Sequence, residues 1–355
     1  MKGVAVGDFL LPTEILARVF QGDGMERLIS SVVTTDFVVA DRSAIRTVYR
    51  LLEENGPSGV PAPRDLAEIC EDTGVLAIQI CPVSKDTLDR CRDLKLIVSA
   101  RGGLENIDVK EATRRGIGVI NTPHHNAQAV AEYTVGLILA ETRNIARSHY
   151  ELKRGVWRES YSNQSFIPEL NELKIGIVGY GVIGSLVADK LRSFRTEVLV
   201  ADPAVPAEVI EKDGFRPMSL ETLLKSADVV TLHVRLSSST AGMIGHSQIA
   251  TMKDTAYIIN TSRAGLVNMP ALLAALRERR IAGAALDVFD MEPIPVDSPL
   301  LEIDNLTLSN HRAGDTRNSY WNAPNLMREQ MRMFFAGQKP RYLVNPEVLG
   351  TPLKA

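Results

Sequence analysis

Leu173-Lys174-Ile175-Gly176-Ile177-Val178-Gly179-Tyr180-Gly181-Val182-Ile183-Gly184, together with Asp202 at the end of the apolar run Glu197-Val198-Leu199-Val200-Ala201, decides how this chain is read. Ile175, Ile177 and Val178 predict a short apolar strand. Gly179 permits a tight turn, Gly181 lets a pyrophosphate approach the backbone, and Gly184 lets the following helix pack closely on the strand. That helix, beginning at Val182 and Ile183, aims free N–H groups at phosphate. Asp202 stands where a carboxylate accepts hydrogen bonds from the hydroxyls of an adenosine ribose, and no Lys or Arg occupies 203–210 to receive a 2′-phosphate. The expectation is a dinucleotide site that prefers NAD to NADP. Such a turn names no reaction.

The rest of the chain bounds the problem. With 355 residues, 45% hydrophobic and 23% charged, it is long enough for two domains with separate cores. A net charge of −3 with scattered Lys and Arg offers no field to attract nucleic acid, so none is expected as a partner. Cys70, Cys81 and Cys91 are odd in number and lack metal-ligand spacing, which predicts buried reduced thiols and no metal site. The N-terminal residues 1–8 have no signal-like apolar stretch, and no run approaches the ~18 apolar residues of a membrane helix. A cytoplasmic protein with no membrane partner is expected.

Short β-rich runs near 3–7, 31–39, 75–80, 94–100 and 117–120 alternate with helical stretches near 13–21, 43–54, 84–91 and 108–115, a βα series that builds a parallel sheet. A second series begins at Leu173 and continues through strands at 228–232, 256–260, 283–287 and 306–308. Between them, 126–143 is helical with a broad apolar face (Val130, Tyr133, Leu137, Ile138), suited to connect two domains and to bury a subunit interface. After His311 one helix over about 316–337 and an extended segment 341–344 are too little for a core of their own, so the tail is expected to return to the first domain. The fold class is α/β, with two Rossmann-like domains of doubly wound parallel sheet. The substrate domain, flavodoxin-like and discontinuous, takes 1–122 plus 316–355. The dinucleotide domain takes 123–315, and a site is expected in a cleft between the two.

Three loops at strand ends of the second series carry candidate chemistry. Asn260-Thr261-Ser262-Arg263-Ala264-Gly265 presents Arg263, whose planar fork suits a carboxylate beside a carbonyl; a surface ion pair is the structural alternative. Asp287-Val288-Phe289-Asp290-Met291-Glu292-Pro293 offers Asp287, placed to accept a nicotinamide carboxamide N–H, and Glu292, placed to reach an imidazole; solvated loop acids are the alternative for each. Ser309-Asn310-His311-Arg312-Ala313-Gly314 places a histidine beside small residues that leave room for a ligand. His311 is the acid/base candidate. A neighbouring Glu292 would favour the imidazolium form, ready to donate to a carbonyl oxygen. Among the other histidines, His124 and His125 fall in the inter-domain loop, His149 and His246 on helix surfaces, and His233 at a strand end facing the adenosine side.

The three loops, their order and the glycine turn ahead of them closely resemble the D-isomer-specific 2-hydroxyacid dehydrogenases. The resemblance covers nearly the whole chain. It includes Arg101-Gly102-Gly103-Leu104-Glu105-Asn106-Ile107-Asp108, the helix segment Val130-Ala131-Glu132-Tyr133-Thr134 and the stretch 228–243. It implies that Arg263 binds the substrate carboxylate and carbonyl, Glu292 supports His311, and His311 exchanges the proton. It further implies that the backbone around Gly102 and Gly103, with Arg101 beside it, holds the substrate, and that Asp287 orients the nicotinamide. The cofactor-facing set on this reading is Gly179, Gly181, Val182, Ile183, Gly184, Asp202, His233, Thr261, Ser262, Arg263, Asp287, His311, Ala313 and Gly314. A homodimer paired through the dinucleotide domains is implied as well.

This chain departs from the family pattern at Arg101, Arg235, Asn268 and Asn310, where the family more often has a small residue, proline, aspartate and proline. Arg101 and Arg235 add positive charge, which hints at a substrate with an anionic tail; surface ion pairs are the alternative. With no chain beyond residue 355, the regulatory domain of longer phosphoglycerate dehydrogenases and its end-product control are not expected. The expected function is NAD-dependent interconversion of a D-2-hydroxy acid and its 2-keto acid. Two alternatives stay open: an NADH-sensing corepressor-like binding protein of the same fold, and a related dehydrogenase acting on phosphite.

Overall fold

Two sets of buried, β-branched-rich strands separated by amphipathic helices give two parallel sheets in the computed structural model, which describes residues 1–350. The chain divides into two compact units, one of Met1–Asn126 together with the chain from Thr316 onward, the other of Ala127–Asp315.

In the first unit, β1 (Lys2–Gly7), β2 (Ser31–Asp36), β3 (Thr73–Ile78), β4 (Leu96–Ser99) and β5 (Gly118–Ile120) are all parallel, in the order β2-β1-β3-β4-β5. This is the flavodoxin-like arrangement. Side chains alternate between two apolar layers, as a strand period of two requires. Val4, Val6, Leu76, Ile78, Ile97 and Val119 enter one layer, and Ala5, Val75, Ala77, Leu96, Val98 and Ile120 the other. The second layer is completed by Met327, Met331 and Phe334 of the helix Ala323–Phe335. Asn345 then fastens the tail to the sheet: its side chain accepts from Val119 N at 2.8 Å and donates to Ile117 O at 2.9 Å.

Two elements of this unit differ from the sequence expectation. The stretch 13–21 is one α-turn, Thr13–Leu16, followed by a 3-10 turn, Ala17–Phe20. The helix expected over 316–337 is two, Arg317–Trp321 and Ala323–Phe335. Pro324 causes the break, because it lacks the N–H that a continuous helix would need and its ring crowds the carbonyl one turn earlier.

The second unit holds β6 (Lys174–Val178), β7 (Glu197–Ala201), β8 (Arg216–Pro217), β9 (Val229–Leu232), β10 (Tyr257–Asn260), β11 (Gly283–Leu286) and β12 (Leu306–Leu308). Their order is β12-β11-β10-β9-β6-β7-β8, so the chain reverses direction across the sheet between β6 and β9. That switch point is where an open α/β sheet presents a ligand crevice at its carboxyl edge. The helices Ala127–Thr142 and Val182–Arg192 cover one face, burying Ala131, Val135, Ile138, Val187 and Leu191 against Ile175, Ile177, Val200 and Ile259. Among the described residues no helix is long and apolar enough to cross a membrane.

A buried polar network, unforeseen from sequence, ties this unit's edge together. Glu141 is fully buried and pairs with Arg147, while its other oxygen accepts from Thr307 Oγ1 at 2.6 Å. Burial pushes the Glu141 carboxyl up, and Arg147 and Thr307 pull it back. Arg147 also donates to Asp304 O at 2.6 Å and Asn144 Oδ1 at 2.7 Å, and Asn144 links through Asn163 to the Tyr257 hydroxyl. Removing one partner of such a pair leaves a buried charge uncompensated. Arg147→Met is expected to lower unfolding stability by about 3–5 kcal/mol, and the double variant with Glu141→Gln by much less, in denaturant titrations.

Candidate active site

The register of the second sheet aligns the functional loops. Val178, Leu232, Asn260, Leu286 and Leu308 lie side by side on β6, β9, β10, β11 and β12. Adjacent strands are about 4.8 Å apart. The glycine turn, His233, the Arg263 turn, the Asp287 loop and the His311 loop therefore leave the sheet from one edge at one level.

At the glycine turn, Gly179 has φ +96°, and a side chain there would meet His233 O at 2.7 Å. A methyl on Gly184 would lie 2.0 Å from Gly179 O, so only glycine allows the helix Val182–Arg192 to approach the strand this closely. Gly181 differs: a methyl there meets nothing within 4 Å, which leaves the helix N-terminus open. The helix has no side-chain cap, so the first-turn amides of Val182, Ile183 and Gly184 remain available to an anion. Asp202 follows β7 with its carboxylate oriented by two backbone donors, Tyr180 N to Oδ2 at 2.7 Å and Ala204 N to Oδ1 at 2.8 Å. His233 accepts or donates through Nε2 to Thr231 Oγ1 at 3.0 Å, while its buried Nδ1 has no partner among the described residues. Burial pushes its pKa down to about 3, so it is neutral. An open glycine cradle, free helix amides, an oriented acid and an orphaned ring nitrogen fit a bound dinucleotide.

The two other strand-end loops are each held by one buried polar side chain. Asn260 is fully buried; its Nδ2 donates to Arg263 O at 2.8 Å and its Oδ1 accepts from Ser262 N at 3.0 Å. Ser262 Oγ donates to Leu232 O at 2.6 Å, and Thr261 meets Thr134 at 2.8 Å. This clamp leaves the Arg263 side chain exposed, with one bond from Nη1 to Ser262 O. Asp287, also fully buried, accepts from Ser309 Oγ at 2.7 Å, Arg312 N at 2.8 Å and Ala313 N at 2.8 Å. Those three bonds bracket His311, whose backbone is left-handed at φ +56°. The imidazole lies 48% exposed, with Nδ1 2.8 Å from Glu292 Oε2. Glu292 Oε1 accepts from Phe289 N at 3.1 Å, which fixes the carboxylate in turn.

Residues assigned to the first unit form a separate group at the end of β4. Arg101 stacks over Tyr49 at 4.6 Å and pairs with Glu105 at 3.2 Å. Gly102 is exposed and its carbonyl accepts from Asn121 Nδ2 at 2.7 Å. Gly103 has the Glu105 carboxylate where a side chain would stand, and its amide and that of Gly102 make no hydrogen bond among the described residues. Gly314 and Ala313 follow His311, half-buried and buried. Arg235 is exposed, and Asn268 caps the helix Met269–Arg277 by accepting from Ala271 N at 3.0 Å. Asn310 accepts from Arg312 Nε at 3.4 Å. Sequence reasoning does not single out Asn260 or Ser309 by role. Their signal is a polar residue at the end of a strand, Asn260 as the last residue of β10 and Ser309 as the first after β12.

Residues 135–313 match the family described as D-isomer specific 2-hydroxyacid dehydrogenase, NAD binding domain. The chain is 37% identical over 302 residues to D-3-phosphoglycerate dehydrogenase of Methanocaldococcus jannaschii, an alignment covering 83% of this chain and 57% of that one. It is 38% identical over 289 residues to glyoxylate reductase of Thermofilum pendens, covering 80% of this chain and 84% of the relative. A NAD-complexed D-isomer specific 2-hydroxyacid dehydrogenase from Lactobacillus delbrueckii ssp. bulgaricus shares the fold, with TM-score 0.77 at 23% identity over 97% of this chain and 100% of its own. D-Lactate dehydrogenase of Aquifex aeolicus, solved with NAD and lactic acid, aligns with TM-score 0.68 at 25% identity over 97% of this chain and 99% of its own. The chain belongs to the D-isomer-specific 2-hydroxyacid dehydrogenase family.

The two glycines of the turn predict opposite failures. Gly181→Ala should melt like the parent but bind NADH about tenfold more weakly, because its methyl occupies the phosphate approach. Gly184→Ala should lose about 1–3 kcal/mol of stability through overpacking. Thermal melts paired with NADH fluorescence titrations check both.

Proposed function

We propose that this chain catalyses NAD-dependent interconversion of a small D-2-hydroxy acid and its 2-keto acid. The observation that carries the reading is the 2.8 Å His311–Glu292 pair at the same sheet edge as the dinucleotide turn. When bound, the dinucleotide supplies or accepts the hydride. His311 Nε2 donates a proton to the carbonyl oxygen during reduction and removes it during oxidation. Glu292, hydrogen-bonded to Nδ1, holds that nitrogen as the donor to itself and leaves Nε2 for the substrate; its charge also stabilises the imidazolium when it forms. Arg263 binds the substrate carboxylate and polarises the carbonyl, since its planar fork can address both oxygens. In the first unit, the amides of Gly102 and Gly103, unbonded among the described residues, are a group of donors suited to a carboxylate, and Arg101 supports their loop through Glu105 and Tyr49.

Because the relatives are a glyoxylate reductase and a phosphoglycerate dehydrogenase, the substrate is sought among glyoxylate, hydroxypyruvate, phosphohydroxypyruvate and longer 2-keto acids. NADH oxidation against that panel is expected to show turnover with at least one. His311→Gln should lower kcat by about 10²–10⁴-fold with NADH affinity unchanged. Full activity in that variant would refute the acid/base assignment.

The reading includes a homodimer formed through the dinucleotide unit. The helix Ile145–Lys153 and the turn after it leave Ile145, Tyr150, Leu152, Val156 and Trp157 exposed, Trp157 by 79%, a concentration of large apolar side chains suited to a partner surface. Sedimentation equilibrium should give a dimer for the parent and a monomer for Leu152→Asp/Trp157→Asp; a monomeric parent would exclude it.

A further inference from the structure

The amino-terminal edge of the seven-stranded sheet carries a second concave feature, at the opposite end of the strands from the reaction loops. Between the end of the helix Val182–Arg192, the start of β7 and the start of β8 lies a surface cavity of about 560 Å³, walled by Arg192, Arg195, Thr196, Glu197, Phe215 and Arg216. Its lining includes three arginines and one carboxylate, and Arg192 also pairs with Asp189 at 3.8 Å. Glu197 is already shared between Arg216 at 3.3 Å and Lys174 at 3.6 Å.

The three arginines are not equivalent. Arg192 serves the fold, since it donates to Asp213 O at 2.6 Å, lies over the Phe215 ring at 4.8 Å, and complements the negative end of its helix. Arg195 has no such role. Its side chain makes no hydrogen bond or ion pair among the described residues, and its backbone sits at φ +59°, a region that arginine seldom enters and that glycine would occupy at lower cost. Beside it, Thr196 carries a buried hydroxyl with no hydrogen-bond partner among the described residues. The left-handed backbone of Arg195 and the orphaned Thr196 hydroxyl each cost stability, while the exposed Arg195 guanidinium is left free for an anion.

We propose that this cavity binds a small-molecule oxyanion, a phosphorylated or multiply carboxylated metabolite. Arg195 is the main anchor, Arg216 the second cation and Phe215 the apolar wall. The cavity is also mechanically joined to the cofactor turn. Phe215 packs edge-on against Tyr180 with ring centres 6.1 Å apart, and the Tyr180 hydroxyl donates to Asp213 Oδ2 at 2.9 Å. Tyr180 lies between Gly179 and Gly181, and its amide holds Asp202. A ligand that shifts Arg192 and Phe215 therefore changes the affinity for the dinucleotide, and by linkage the dinucleotide changes the affinity for the ligand.

Calorimetric titration of the NADH-saturated protein with inorganic pyrophosphate, and separately with citrate, at constant ionic strength tests the site while the glycine turn is filled. One saturable site per chain is expected, weakened at least fivefold in Arg195→Gly and in Arg216→Ala and unchanged in Arg277→Ala, an exposed arginine on another helix. Arg195→Gly relieves the left-handed backbone, so it should melt no lower than the parent and its loss of binding cannot be misfolding. Binding of pyrophosphate alone assigns a phosphorylated ligand, and of citrate alone a carboxylated one. No saturable binding of either, or equal binding in Arg195→Gly, overturns the site. NADH titrations with and without pyrophosphate test the coupling: competition at the glycine turn is common to parent and Arg195→Gly, so equal shifts in the two proteins overturn it and a difference of threefold or more upholds it.

Discussion

The parallel register of the seven-stranded sheet is the constraint on which the rest of the candidate site depends. Because every strand runs the same way, every carboxyl end faces one edge, and residues far apart in sequence become neighbours without any contact specific to chemistry. Val178 and Leu308 stand on strands separated by three others yet are level along the sheet. Each strand then needs only to end in a loop of suitable composition. The alignment tolerates little error, since a one-residue slip in a parallel ladder would turn every side chain of the slipped strand to the other face.

Alignment alone does not hold a side chain still. Two buried groups do so, Asn260 for the Arg263 turn and Asp287 for the His311 loop, each bonded to the backbone it orders. A carboxylate receiving two backbone amides and a hydroxyl is strongly bound, because bonds to an ionised acceptor are about twice as strong as neutral ones. That is enough to sustain a left-handed histidine, which in isolation costs on the order of 1–3 kcal/mol. The reactive groups themselves, by contrast, are among the more exposed in the unit. Rigidity comes from beneath, and access from above.

Much of this was legible in the sequence because it is written locally. The glycine turn, the βα alternation and the three strand-end loops are patterns of a few adjacent residues, and Glu292 and His311 stand together in the structure as their loops suggested. What was not legible depends on partners distant in the chain. Nothing near Glu141 announces that Thr307 will satisfy it, or that Asn163 will join Asn144 to Tyr257. The structural bonds of Asp287, an expected cofactor-facing residue, were not legible because its partners, Arg312 and Ala313, contribute backbone amides that carry no residue signature. The split of the last helix was marked by Pro324, whose effect on the preceding turn was outweighed by the apolar period on either side. The two-residue β8 is too short to produce a period at all.

Asp202 shows how one such local commitment reaches further. Both of its oxygens are engaged by the backbone of its own unit, one by the amide of the glycine turn and one by Ala204. The carboxylate is thus a strut of the glycine turn as well as the group proposed to meet the ribose. Retuning this protein toward a 2′-phosphorylated cofactor is for that reason a two-part problem: a replacement that merely removes the negative charge also strips the Tyr180 amide of its acceptor, and a successful redesign has to rebuild the loop's support at the same time as it changes the sign of the pocket.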